Sequence, residues 1–93
     1  MELSWDEAKR LKILSERALD LADAHQIFVG FHLDELDERF DYGEERVVTT
    51  GYLNDRLCVL VWTTRMKTRR VISLRKANER EQEKFKTRMG RSR

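Results

Sequence analysis

The chain has 93 residues, enough for one compact domain with a modest core, and 39% of them are charged. It contains no run of the ~18 apolar residues that a transmembrane helix needs, and its single cysteine, Cys58, rules out an internal disulfide and a multi-cysteine metal site. The net charge of +2 hides an asymmetry: residues 65–93 hold twelve basic side chains against three acidic ones, and the first 64 residues hold seven against fourteen.

At the N-terminus, MELSWDEAKR lacks the basic-then-apolar order of a signal peptide. Cys58 lies in the apolar run LCVLVW and reads as a buried, inert thiol. Both point to a reducing cytoplasm. Ser4 and Glu7 match an S-x-x-E capping box, which predicts a helix from just after Ser4 to about residue 17, with Ala8, Leu11 and Leu14 at helical spacing. Asp20 is the predicted cap of a second helix with Leu21, Ala24, Ile27 and Phe28 on its apolar face, ended by Gly30.

The period then changes from helix to strand. FHLDELD (31–37) is a weak strand, RVVTTGY (46–52) a β-branched one, and LNDR (53–56) a hairpin turn. LCVLVWT (57–63) is almost continuously apolar, as a central strand covered on both faces would be. RRVISLR (69–75) follows a polar turn at Met66-Lys67-Thr68. From Lys76 onward NEREQEKFKTRM forms a basic helix whose apolar stripe is only Ala77, Phe85 and Met89. The predicted fold is α+β: two N-terminal helices, a four-stranded, mainly antiparallel sheet with the helices segregated on one side, and a C-terminal basic helix, all in a single domain over 1–93. Leu60, Trp62, Ile72 and Leu74 are its expected core residues.

Few side chains stand in a catalytic pattern. His25 and His32 suit packing or surface positions better than a proton-transfer pair, and they form no metal site by themselves. The acidic run Asp34, Glu35, Asp37, Glu38, Asp41, Glu44 and Glu45 has no ion-binding loop spacing, and strand alternation divides it between two faces, as in a solvated edge strand. No cofactor or metal is therefore assigned. In the last strand, alternation sets Arg69, Val71, Ser73 and Arg75 on one face and Arg70, Ile72 and Leu74 on the other. Arginines on an open face can fork to phosphate oxygens and stabilise charge on a phosphoryl group. The plainer alternative pairs Arg75 with an acidic residue of a neighbouring strand. The basic last third reads either as a phosphate-attracting surface or as a solvated helix.

The ordered set WDEAK (5–9), A-x-x-I-F ending at Phe28, DYGEER (41–46), TTR (63–65), RVISLRKA (70–77) and Glu81 resembles the BrnT family of bacterial toxins. The resemblance spans Trp5 to Phe85 and implies a RelE-like fold and an endoribonuclease of a type II toxin–antitoxin pair. It further implies an RNA substrate, a BrnA-like antitoxin partner, and DNA contact only through that antitoxin. Cleavage of this kind runs through attack of the ribose 2′-hydroxyl on its own phosphate, without a metal. Arg65, Arg70 and Arg75 are then candidates for binding phosphate and stabilising the transition state. Asp41, Tyr42 and Glu44 are candidates for moving protons or orienting those arginines, and Ser73 for an added hydrogen bond. The chain departs from the family pattern at Ile13, Glu16-Arg17-Ala18, Phe40 and Phe85, where the family usually carries Asn, Lys-His-Gly, His and often Tyr. A catalytically weakened, toxin-like protein that binds protein or nucleic acid is therefore the alternative.

Overall fold

The computed structural model describes residues 2–39, 41 and 43–91. Five strands form one mixed sheet: β1 (Leu3–Ser4), β2 (His32–Leu36), β3 (Val47–Leu53), β4 (Arg56–Arg65) and β5 (Thr68–Lys76), in the order β1-β5-β4-β3-β2. Three α-helices accompany it: α1 (Glu7–Arg17), α2 (His25–Val29) and α3 (Glu79–Arg91). The expected four strands become five because Leu3 and Ser4 pair in parallel with Arg69 and Arg70, anchored where the Arg69 N–H donates to the Glu2 carbonyl at 2.8 Å. That edge pairing takes Ser4 out of its predicted capping role. Asp6 caps α1 instead, its carboxylate accepting from the Ala8 N–H at 3.0 Å.

Within α1 only Ile13 is buried, while Leu11 and Leu14 stay 55% and 38% exposed, so the expected Ala8–Leu11–Leu14 stripe is not the packed face. Asp20 does cap the following segment, but this divides into a 3-10 turn (Leu21–Asp23) and the short α2. Leu21, Ala24 and Ile27 are fully buried, as their spacing predicts. Gly51 lets α2 lie flat on β3: a Cβ there would stand 2.8 Å from Ile27 Cγ2 and 3.0 Å from its carbonyl oxygen. Two tight turns join the hairpins, Asn54-Asp55 and Met66-Lys67, all four with positive φ. That is the backbone twist a two-residue hairpin loop needs.

Both faces of the central strand are covered. Cys58, Leu60 and Trp62 join Ile13, Leu21, Ile27, Val71 and Leu74 in the main core under α1 and α2. Leu57 and Val59, which alternate with them, join Ala77 and Phe85 in a second cluster, with Leu33, Val48 and Met89 against it. The helix α3 thus packs on the face opposite α1 and α2, and the helices are not segregated on one side. The buried Phe85 ring meets Phe31 and Tyr52 edge-on, at centroid distances of 5.3 and 5.5 Å. Among the described residues no helix is long and apolar enough to cross a membrane.

Candidate functional site

The last strand does not alternate strictly. Val61 is in register with Ser73 and Trp62 with Val71, so Ile72 is an extra residue on β5, a β-bulge. The bulge resets the phase: Val71 and Leu74 both reach the main core, three residues apart, and Ile72 joins neither core cluster. Arg70 pairs with Thr63, Ser73 with Val61 and Arg75 with Val59. All three therefore stand on the α3 side of the sheet, whereas alternation had put Arg70 on the opposite face from Ser73 and Arg75. Arg69 goes to the other side, its guanidinium 3.8 Å over the Phe28 ring and 4.9 Å from that of Trp62.

At the end of β5, Arg75 is held by Glu81 of α3 through two hydrogen bonds of 2.8 Å each. Glu81 belongs to a capping box: its carboxylate accepts from the Asn78 N–H at 2.9 Å, and the Asn78 side chain accepts from the Glu81 N–H at 2.8 Å. This pair holds the Glu81 carboxyl below its ordinary range, chiefly through the Arg75 hydrogen bonds, and raises Arg75 in turn. The carboxylate partner foreseen for Arg75 exists, on the helix rather than on a strand. Another Arg75 N–H donates to the Lys76 carbonyl at 3.3 Å. Of the five guanidinium N–H groups, the Nε–H and one Nη2–H then remain uncommitted among the described residues.

The turn after β2 closes over the same face. Asp41 accepts from the Gly43 N–H at 3.0 Å, and Gly43 sits at φ 72°, a conformation that glycine adopts without strain. Glu44 accepts from Arg65 Nη2 at 3.1 Å and stands 4.0 Å from Arg46, and the Arg65 hydrogen bond above all keeps its carboxyl below the usual range. Thr63, buried beside Arg70, donates its hydroxyl to the Glu45 carbonyl at 2.7 Å and ties the turn to β4. Farther back in the turn, the Asp37 carboxylate accepts a fork of two hydrogen bonds from Arg39, whose charge is felt at Arg75. Tyr42 and Phe40, the other positions singled out in this turn, lie outside the described residues.

Arg65, Arg70, Ser73, Arg75 and Glu44 are thus brought to one side of the sheet, the side on which Phe85 of α3 packs against Leu57 and Val59. Arg70 has no ion pair or hydrogen bond to its side chain among the described residues, and Arg65 stays 55% exposed. Such a surface presents guanidinium groups to an anion, with carboxylates behind them. The histidines take no part: His32 meets the Phe28 ring edge-on and bonds the Gly30 carbonyl, and His25 bonds the Ala22 carbonyl. Glu81 was missed as a functional partner, although Asn78-x-x-Glu81 carried a capping signal. Part of the acidic run proves structural. Asp34 accepts from Thr49 at 2.7 Å, Thr49 accepts from the Trp62 indole at 2.8 Å, and Glu35 pairs with Lys84 of α3.

A family model described as the ribonuclease toxin BrnT of type II toxin–antitoxin systems matches residues 5–81. No curated protein matches the chain.

Proposed function

The chain belongs to the BrnT family of ribonuclease toxins of type II toxin–antitoxin systems, and from that premise we propose that the α3 side of β4 and β5 is its RNA-cleaving face. The observation that carries this reading is the bulge at Ile72, which gathers Arg70, Ser73 and Arg75 on one side beside Arg65. The family implies an RNA substrate and an antitoxin partner. A BrnA-like antitoxin, a RelE-like fold and a cytoplasmic site of action complete the proposal.

In the proposed reaction a ribose 2′-oxygen attacks the adjacent phosphorus as its proton passes to a base. The bond to the 5′-oxygen then breaks as that oxygen gains a proton. The products are a 2′,3′-cyclic phosphate and a 5′-hydroxyl. In this reading Arg70, unpaired among the described residues, takes a non-bridging phosphate oxygen, and Arg65 of the neighbouring strand assists it. Arg75 contributes through its two uncommitted N–H groups or by exchanging Glu81 for phosphate, and the Ser73 hydroxyl adds a hydrogen bond. Glu44, ionised and gripped by Arg65, orients that guanidinium better than it accepts a proton. Asp41, which among the described residues accepts only from the Gly43 N–H, is the stronger candidate base, with Tyr42 the candidate proton donor.

The test is induced expression with mapping of RNA ends, for the parent and for Arg70→Ala. Loss of one charge-stabilising donor costs about 10²–10³ in rate, so Arg70→Ala should abolish growth arrest and remove the new 5′ ends. A parent that binds RNA and antitoxin but produces no new ends would favour the weakened, binding-only reading. The engagement of Arg75 by Glu81 and of Arg65 by Glu44 is what recommends keeping that second reading.

A further inference from the structure

At the end of the sheet away from Arg65 and Arg70, a cleft of about 350 Å³ opens between the β3–β4 turn and α3. Its walls carry Arg56 from the start of β4, Lys76 from the end of β5 and Lys86 from α3, with Tyr52, Gln82 and Asp55 between them. Three cations from three separate elements converge there. None has an ion pair or a side-chain hydrogen bond among the described residues, and Asp55 is the one acid on the wall. Gln82 and Lys86 lie one turn apart on the same side of α3, and Gln82 is fixed by its hydrogen bond to the Ala77 carbonyl at 3.2 Å. Tyr52 is 43% exposed, its ring braced edge-on by Phe85.

We propose that this cleft is a second subsite that holds the phosphodiester backbone of single-stranded RNA flanking the cleaved bond, with the Tyr52 ring as a stacking surface for one base. The proposal rests on the RNA-cleaving reading of the α3 side, and the geometry joins the two places. Arg75 stands on the proposed cleaving face, and its neighbour Lys76, the last residue of β5, lines the cleft. From Arg70 to Lys76 the strand advances about 20 Å at ~3.3 Å per residue, a span of a few nucleotides. A concave wall of unpaired cations with an exposed aromatic ring is the combination that tracks a single strand without reading its sequence.

The experiment uses the full chain and RNA made uncleavable by methylation of every 2′-hydroxyl, in lengths of about ten and about three nucleotides, a range set by typical single-strand site sizes. Affinity is read by fluorescence anisotropy across a salt series for the parent and for the double variant Lys76→Gln, Lys86→Gln, whose fold is checked by circular dichroism. Loss of two phosphate contacts should flatten the slope of log K against log salt by about 1.4, at ~0.7 per contact on a single strand. The longer RNA should bind several-fold more weakly, with little change for the short one. Tyr52→Leu should weaken the longer RNA without altering the slope, because stacking releases no counterions. An unchanged slope overturns the proposal, as does an equal loss at both lengths. Unchanged RNA binding with weakened antitoxin binding also overturns it, and makes the cleft a protein-facing surface. Arg70→Ala keeps the two ideas apart: if it cleaves normally, the cleaving face is misassigned, while the salt slope still reports on the cleft.

Discussion

Replacing Glu81 by glutamine tests two roles of Arg75 at once. Glu81→Gln keeps the side-chain volume and the capping pattern with Asn78, because glutamine also serves at that position. It removes the charge that the two Nη groups of Arg75 grip at 2.8 Å each. The side chains of Arg75 and Glu81 are 45% and 27% exposed, so solvent screens the pair, and its contribution is that of a well-formed surface ion pair, about 0.5–1 kcal/mol. For a domain of this size ~1 kcal/mol moves Tm by about 4–8 °C, so Glu81→Gln should lower Tm by about 2–8 °C at neutral pH. The pH dependence has a definite sign. The folded-state pKa of Glu81 is lowered, so its stabilisation is present above the unfolded-state value of about 4.3 and is lost as pH falls through the folded-state value. The gap between parent and variant should therefore close in acid and persist in mild alkali, because Arg75 titrates higher still. The assay is urea unfolding of the parent, Arg75→Ala, Glu81→Gln and the double variant, from which the coupling energy follows. A coupling of zero at neutral pH, or a gap that does not narrow as the pH is lowered into acid, would refute the reasoning. RNA cleavage by the same four proteins separates the roles. If Arg75 also serves the phosphate, Arg75→Ala loses cleavage far beyond its loss of stability, while Glu81→Gln, which frees the guanidinium, keeps it. Equal falls in both would confine Arg75 to holding α3.

Phe85→Ala should cost about 3–5 kcal/mol, the range for truncating a buried phenylalanine. Phe85 is 1% exposed and organises the second core, so urea unfolding should show most of the domain's stability gone and α3 should exchange its amide protons early. Trp62→Phe removes the indole donor to the buried Thr49 hydroxyl and should cost about 1–2 kcal/mol in the same assay; a neutral outcome would mean that water replaces the indole. The rate of RNA cleavage should stay flat between about pH 5 and 8, since both histidines bond backbone carbonyls away from the arginines; a limb in that window that vanishes in His32→Gln would overturn the assignment. Gly51→Ala should destabilise despite its better strand propensity, because the new methyl meets Ile27 Cγ2 at 2.8 Å. A thermal melt equal to the parent's would show that α2 can shift to admit it.

What the sequence determined by itself was whatever is decided within a few residues along the chain. The Asp20 cap, the buried Leu21–Ala24–Ile27 series, the Asn54-Asp55 turn and the three long strands follow from local backbone preference and from periodicity, and the structure keeps them. The ordered motifs from Trp5 to Glu81 likewise carried the family, because the kind and spacing of residues are linear information. The rest depended on partners far away in the chain. Ser4 reads as a helix cap until β5 offers it an edge to pair with. Alternation along RVISLR holds only while the register is unbroken, and the bulge at Ile72, visible only against Val61 and Trp62 of the neighbouring strand, moves Arg70 to the side of Ser73 and Arg75. The side on which α3 docks was equally hidden. Its narrow stripe of Ala77, Phe85 and Met89 names the contact residues but not the face, and the face was decided by Leu57 and Val59 of β4 needing cover opposite the core that α1 and α2 had already filled.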